Sequence, residues 1–344
     1  MGRKASGRPT SFDIAYRAGV SQPTVSRALR GDTSVSAATR EKIERIAQEL
    51  NYTVDKNASS LRSQRSNTLA LLFFEEPFPD EGAINPFFLA MLGSITRACA
   101  AQGLDLLISF QRMEDDWHVQ YQDSHRADGL ILLGYGDYEK YTERLEQLRR
   151  QGTLFARWGS VSQDDSGVTI GSDNRLAGRQ AGEHLIGLGR SKIAFIGQAD
   201  QHYPEFAARY AGLCEAMDAA GLRADPALKR DALTGEEEGY RAVSHLLAQG
   251  ADFDAVFAGS DLIAIGVMRA LAEAGLKVPG DVAVIGFDDI PAARLTVPPL
   301  TTISQDIRGA GDRLVDMVLA QIEDAPRPDT RLPTRLIERG STTS

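Results

Sequence analysis

From residue 68 onward, short continuous apolar runs alternate with amphipathic stretches, and this alternation limits the possible folds more than any other feature. Residues 69–74, 104–108, 129–133 and 153–158 form one series of runs, interleaved with helical patterns such as 87–101 and 138–151. A second series, 193–197, 255–259 and 282–287, alternates with helical patterns near 175–188, 205–220, 235–248 and 262–274. A strand that is apolar along its whole length is buried on both faces, which predicts parallel sheets covered by helices on either side. Two such series predict two Rossmann-like lobes, and 344 residues leave room for a further small domain.

The charge is divided along the chain. Residues 1–66 hold 12 Lys and Arg against 6 Asp and Glu, which leaves 26 against 41 for the remainder and a total of −9. A basic segment on an acidic body suggests a polyanion-binding headpiece. Apolar runs fall well short of the roughly 18–20 residues that span a bilayer, which argues against a membrane protein. The basic start of the sequence leads into no apolar stretch of the kind found in secretory signals, so a cytoplasmic location is expected. Cys99 and Cys214 lie far apart, with neither a CxxC motif nor a Cys/His spacing. Buried thiols are expected there rather than a disulfide or a zinc site, and no metal or cofactor is implied.

The basic segment reads as three short helices. Thr10 and Asp13 form a capping pair before Phe12, Ile14, Ala15 and Ala18, and Gly19 stops the first helix. Ser21 is the expected N-cap of the second; Pro23 falls in its first turn, Val25, Ala28 and Leu29 form its apolar face, and Gly31 ends it. A third helix begins near Ser36, with Ile43, Ile46, Ala47 and Leu50 at helical spacing. Helix, tight turn, helix is the helix-turn-helix pattern, and helices this short need one another to be stable. Gln22, Thr24, Ser26 and Arg27 remain exposed on the second helix, groups that either read base edges or simply solvate a surface. Arg27 is the strongest candidate reader, because a guanidinium can donate two bonds to guanine O6 and N7.

The stretch TSFDIAYRAGVSQPTVSRALRGDTSVSAATREKIERIAQELNY, residues 10–52, resembles the headpiece of the lactose/galactose repressor (LacI/GalR) family of bacterial transcription regulators. VDKNASSLRSQRSNTLALL resembles that family's hinge helix and the entry to its regulatory core, and motifs recur to near Arg339. The resemblance implies an all-α helix-turn-helix headpiece over residues 1–54, a hinge over 55–66 and an effector-binding, dimerising core over 67–344. That core would be α/β, two Rossmann-like lobes like those of periplasmic sugar-binding proteins. Lobe 1 is expected over about 67–165 and 304–332, and lobe 2 over about 166–303 and 333–344, with chain crossings near 165, 303 and 332. By position, Gln22 and Pro23 fall where the family varies its operator-reading pair, and Arg27 falls on its base-contacting arginine. Pro23 departs from a polar reader and removes one hydrogen-bonding side chain.

Two helical turns over residues 56–62 are too short to be stable alone, so DNA would order them. The resemblance implies that a leucine there, at Leu61 with Ala58 beside it, wedges into the minor groove as a dimer binds; an ordinary hydrophobic contact is the alternative. The candidate DNA-binding set is therefore Thr10, Ser21, Gln22, Pro23, Thr24, Ser26, Arg27, Ala58 and Leu61.

Loops at the carboxyl ends of parallel strands form ligand crevices. By resemblance Arg209, in Arg-Tyr-Ala-Gly, matches an effector-binding arginine, and Asp288, in Gly-Phe-Asp-Asp, an aspartate that takes ligand hydroxyls. Ser260 stands where a reader such as asparagine is more usual. Phe78, Phe87, Arg157 and Trp158 complete the candidate effector set, although the stretch 75–84 is longer than the family's. Blander roles exist: Arg209 paired with Glu205 along a helix, Asp288 or Asp289 capping a turn, Trp158 in a core, and 236–238 as solvated acids at a helix start. P-loop, HExxH and GxSxG motifs are absent from the sequence, so an enzyme is not expected. The reading is of a homodimeric repressor of a palindromic operator, induced by a mono- or disaccharide, in control of carbohydrate use. A purine-like or co-repressing effector, or a small-molecule binder without operator specificity, is the alternative.

Overall fold

The structure is a computed structural model that describes residues 9–29, 31–52, 65–74, 84–111, 115–134, 137–161, 168–233, 235–328 and 330–343. The chain separates into two compact units, Met1–Ser66 and Asn67–Ser344.

The first unit holds α1 (Ser11–Ala18), α2 (Gln22–Leu29) and α3 (Ala37–Glu49). Helix α1 starts where Thr10 donates both its N–H, at 2.8 Å, and its hydroxyl, at 2.7 Å, to the Asp13 carboxylate. These bonds hold Asp13 below the usual carboxylate range. Gly19, at φ 69°, takes the left-handed conformation that lets the chain leave α1 and enter α2 after a short turn. Ile14, Ala15 and Ala18 of α1 close on Val25 and Ala28 of α2 and on Ile43 and Ala47 of α3. This small core fixes the angle of the second helix to the first.

The second unit contains two six-stranded sheets. The first uses β1 (Thr68–Phe74), β2 (Asp105–Gln111), β3 (Gly129–Leu133), β4 (Phe155–Trp158), β5 (Thr169–Ser172) and β11 (Arg331–Leu332), in the order β11-β5-β4-β3-β1-β2. The second uses β6 (Ile193–Ile196), β7 (Lys229–Arg230), β8 (Ala255–Ala258), β9 (Ala283–Asp288), β10 (Thr301–Gln305) and β12 (Thr334–Ile337), in the order β12-β10-β9-β8-β6-β7. Pairing is parallel except between β10 and β12. In the first sheet Leu71 aligns with Ile131 and packs in one buried cluster while Leu72 aligns with Leu132 and packs in another, so apolar side chains face both covering layers.

Helices α4 (Pro86–Ala101), α5 (Tyr138–Arg150) and α10 (Ile307–Ile322) belong to lobe 1; α6 (Asn174–Gly187), α7 (Pro204–Ala219), α8 (Glu236–Ala248) and α9 (Asp261–Glu273) belong to lobe 2. The expectation of two parallel α/β lobes is met. Because β5 pairs with β4, the first crossing between lobes comes at Asp173, some way after the position near 165 read from sequence. The other two come at Asp306, before α10, and at Pro333, between β11 and β12. Asp173 and Asp306 each cap the helix they lead into, accepting from Leu176 N at 3.0 Å and Gly309 N at 2.9 Å. Ser172 and Gln305, at the ends of the two crossing strands, are joined by a 2.7 Å hydrogen bond.

Candidate effector cleft and DNA-reading helix

In the first unit, Ser21 immediately precedes α2, and its hydroxyl bonds that of Thr24 at 2.8 Å. Gln22 donates to Ser11 Oγ at 3.2 Å, which links the start of α2 to the start of α1 and ties up part of the Gln22 amide. Pro23 stands in the first turn of α2, where its missing N–H costs nothing, and its carbonyl accepts from Arg27 Nε at 3.4 Å. That long, exposed bond leaves the terminal nitrogens of the guanidinium to other partners. Ala58 and Leu61 lie outside the described residues.

In the second unit the lobe 2 candidates converge. Arg209 projects from α7 and is 2 % exposed; its Nε donates to Asn174 Oδ1 at 2.9 Å, one Nη donates to the Gly259 carbonyl, and the guanidinium lies 3.5 Å from the Phe287 ring centroid. It does not pair with Glu205, whose Oε1 instead accepts from Ser160 N across the lobes at 2.7 Å. The approach of α7 to α6 makes this placement possible. A Cβ at Gly178 would fall 2.0 Å from the Arg209 carbonyl, and one at Gly212 would fall 2.0 Å from that of Arg175. Any larger residue would push the two helices apart and move the arginine.

Asp288, the last residue of β9, is buried at φ 116°, and it accepts from Gln305 Nε2 at 2.7 Å. Gln305 in turn accepts from Ser172, so a chain of hydrogen bonds runs from the lobe 2 carboxyl to the lobe 1 strand β5. Burial pushes the Asp288 carboxyl up to about 7, against the opposing pull of Arg209 and Gln305. Asp261 beside it is raised well above the carboxylate range, first by burial and then by the field of Asp288. It accepts from Ile290 N at 2.8 Å and from the Thr302 hydroxyl, which fixes the loop after β9. Asp288 is therefore no turn cap, and Asp289 is held by Arg339 and Arg294.

The remaining candidates are placed less simply. Ser260 is buried and its hydroxyl accepts from Ile263 N at 3.3 Å, as the N-cap of α9. Phe87 and Trp158 face each other at 6.1 Å, and both belong to the apolar core, with Trp158 9 % exposed. Each is thus a wall of the lobe more than a free face. Arg157, also buried, donates to Thr169 Oγ1 at 2.7 Å and lies 5.2 Å from the Tyr138 ring centroid. A Cβ at Gly159 would stand 2.9 Å from Arg157 Nη1 and 3.3 Å from Glu205 Oε1, so both side-chain ends approach the backbone at this glycine. Phe78 lies outside the described residues. Sequence reasoning did not single out Asn174, Gln305 or Ser172, whereas Asp261 follows Ser260 among the residues just after strands. Gln305 and Asn174 flank the crossings, and a polar residue at a crossing between lobes is the signal that would have found them.

This arrangement can take a neutral polyhydroxylated ligand: a fixed guanidinium supplies donors, a carboxyl titrating near neutrality both accepts and donates, and apolar walls flank them. Residues 183–342 match the model of the periplasmic binding protein-like domain, and residues 12–55 match that of the bacterial regulatory proteins of the lacI family. The ribose operon repressor of Escherichia coli (strain K12) is 33 % identical over 343 residues, covering 96 % of this chain and 99 % of the relative. The chain belongs to the LacI family. Among solved LacI-family structures, the lac repressor dimer bound to operator and the anti-inducer ONPF is similar at a TM-score of 0.83 and 26 % identity, covering 98 % of this chain and all of that one. The complex of the regulator CelR with cellobiose is similar at a TM-score of 0.72 and 30 % identity, covering 97 % of this chain and all of that one. LacI-family proteins are transcriptional regulators, which accounts for a basic three-helix unit and a bilobal unit in one chain.

Proposed function

We propose that this LacI-family protein is a sequence-specific repressor that binds a palindromic operator as a homodimer, and that a mono- or disaccharide in the cleft lowers its operator affinity. The observation that carries the reading is the buried set Arg209–Asn174 and Asp288–Gln305–Ser172, polar groups gathered at the carboxyl ends of strands in a chain that also holds a helix-turn-helix. Relatives named for ribose and a solved relative holding cellobiose support a sugar as the effector.

One helix-turn-helix reads only a few base pairs, and a twofold pair reads half-sites about one helical turn apart. In this reading residues 1–54 are the headpiece, 55–66 the hinge and 67–344 the regulatory core. Arg27 with Gln22 reads bases, Thr10, Ser21, Thr24 and Ser26 hold phosphates, and Leu61 with Ala58 enters the minor groove. Arg209 and Asp288 bind the sugar, with Trp158 and Phe87 shaping its apolar side and Arg157 its lobe 1 rim. The protein acts in the cytoplasm and turns over no substrate; among the described residues no helix is long and apolar enough to cross a membrane.

Selection of bound duplexes from a random library, followed by footprinting with a panel of pentoses, hexoses and disaccharides, tests this. The expected result is a twofold-symmetric site whose occupancy falls with one sugar. Occupancy that rises with sugar would make the ligand a co-repressor, response to a purine would replace the ligand class, and the absence of any preferred duplex would overturn the reading.

A further inference from the structure

Among the described residues, one short stretch of lobe 2 makes three hydrogen bonds to lobe 1 away from the crossing strands. The His202 carbonyl accepts from Tyr138 N at 2.9 Å, His202 Nδ1 meets Asp137 Oδ1 at 2.9 Å, and Glu205 Oε1 accepts from Ser160 N at 2.7 Å. Both sides of this contact are held in place. Asp137 caps α5 through Glu139 N at 3.1 Å, while the His202 N–H donates to Asp200 Oδ1 at 2.9 Å and Gln198 donates to the other Asp200 oxygen at 3.0 Å. The stretch runs straight into α7, the helix that carries Arg209 and is locked to α6 at Gly178 and Gly212. The lobe-to-lobe contact therefore sits on the first turn of α7 and the residues that lead into it, ahead of the Arg209 guanidinium on the same helix.

We infer that His202 and Glu205 are positioning residues of the effector response, a clasp that holds lobe 1 against α7 and keeps the cleft shut over its ligand. This rests on the reading of the cleft as a sugar site. The two side chains act through the lobe-to-lobe contact and leave recognition to Arg209 and Asp288. Because the three bonds lie on one element, they form and break together as the lobes part.

The clasp is also sensitive to protons. His202 faces Asp137 and Glu139 from α5 and Asp200 from its own loop, and Glu238 at the start of α8 lies in the field of the adjoining Tyr203. The bond to Asp137 raises the His202 pKa above the ordinary histidine value, and loss of hydration opposes it. The protonated ring thus favours the clasped form: the clasp is strongest below about pH 6.5 and weakens as pH rises through the raised value. Burial also pushes the Asp288 carboxyl up to about 7, so a variant of His202 itself has to separate the two.

The test uses the full-length protein and needs no knowledge of its natural ligand. Amide hydrogen exchange is followed at Tyr138 and Ser160, normalised to intrinsic rates, in wild type, E205A, E205Q and H202Q. E205A removes the acceptor for Ser160 alone, yet the clasp requires Tyr138, whose own acceptor is untouched, to lose about fivefold in protection as well, the effect of about one hydrogen bond. E205Q, which keeps an acceptor oxygen, should restore both. Wild-type protection at Tyr138 should fall between pH 6 and 8, and H202Q should be flat over that range. Loss confined to Ser160 in E205A, or an unchanged pH profile in H202Q, overturns the inference. With D-ribose and cellobiose as probes, E205A should release a bound sugar about fivefold faster than wild type, and equal release rates also overturn it. A wild-type chain that binds neither probe counts against the proposed sugar, while the exchange measurements still decide the clasp.

Discussion

Asp288 offers the sharpest numerical test of the cleft. Burial moves its carboxyl from 3.8 to about 7, a shift of about 3 units, which at 1.36 kcal/mol per unit is about 4 kcal/mol of linkage between protonation and folding. The folded chain holds this proton more tightly than the unfolded chain. The stabilising contribution is therefore whole below about pH 4 and is lost as pH rises through the interval to about 7. Asp288→Asn keeps an oxygen for Gln305 and removes the titration. Its stability relative to wild type, from urea unfolding of the full chain at fixed ionic strength, should improve by up to about 4 kcal/mol between pH 4 and pH 8. Contributions independent of pH cancel in that difference, and the pull of Arg209 on the ionised carboxyl is already contained in the raised pKa. Asp261, raised in part by the Asp288 charge, changes in the same direction when its neighbour is made neutral and so does not offset the effect. A relative stability that stays constant from pH 4 to pH 8 would refute the placement of a titrating carboxyl at this buried position.

Other substitutions test separate parts of the structure. Arg27→Ala should lose about 1–3 kcal/mol of discrimination between preferred and random duplexes while keeping salt-dependent binding, measured by anisotropy across a salt series. Arg209→Ala should leave operator binding intact and abolish the sugar response in footprinting. Gly212→Val drives a side chain into the Arg175 carbonyl and should cost about 1–3 kcal/mol in thermal or urea unfolding, with sugar affinity falling alongside because α7 moves. Asp13→Ala removes both bonds from Thr10 and should destabilise the three-helix unit by about 1 kcal/mol, seen by far-ultraviolet circular dichroism of the full chain.

The strands that the sequence makes plain are those buried on both faces, such as Gly129–Leu133 and Ala255–Ala258, where nothing but apolar residues can stand. The elements it hides are at the crossings. Thr169–Ser172 and Thr301–Gln305 carry polar side chains because Thr169 bonds Arg157, Thr302 bonds Asp261, and Ser172 and Gln305 bond each other, so the apolar run that marks a strand is broken. Helix Ile307–Ile322 is absent from the sequence reading, although its glycine at 311 is required by contact with Ser94 of α4. The site was legible in the same uneven way. Arg209 and Asp288 stand out through resemblance and through chemistry, and both are buried and hydrogen-bonded in lobe 2. Trp158 and Ser260 have the right residue types at the ends of the right strands, but the first packs in the core and the hydroxyl of the second caps a helix, which residue type alone does not reveal. His202 and Glu205 could not be found without the fold, because their partners lie 65 and 45 residues away in the other lobe.

In the proposed function, DNA reading and sugar capture by one chain are thermodynamically linked. Titrating the sugar onto the full-length dimer by calorimetry, with and without saturating operator duplex, measures that link from the ligand side. Linkage makes sugar affinity fall on the operator by the same factor, about 5- to 150-fold, by which sugar weakens operator binding. Sugar affinity that is identical on and off the operator would contradict it.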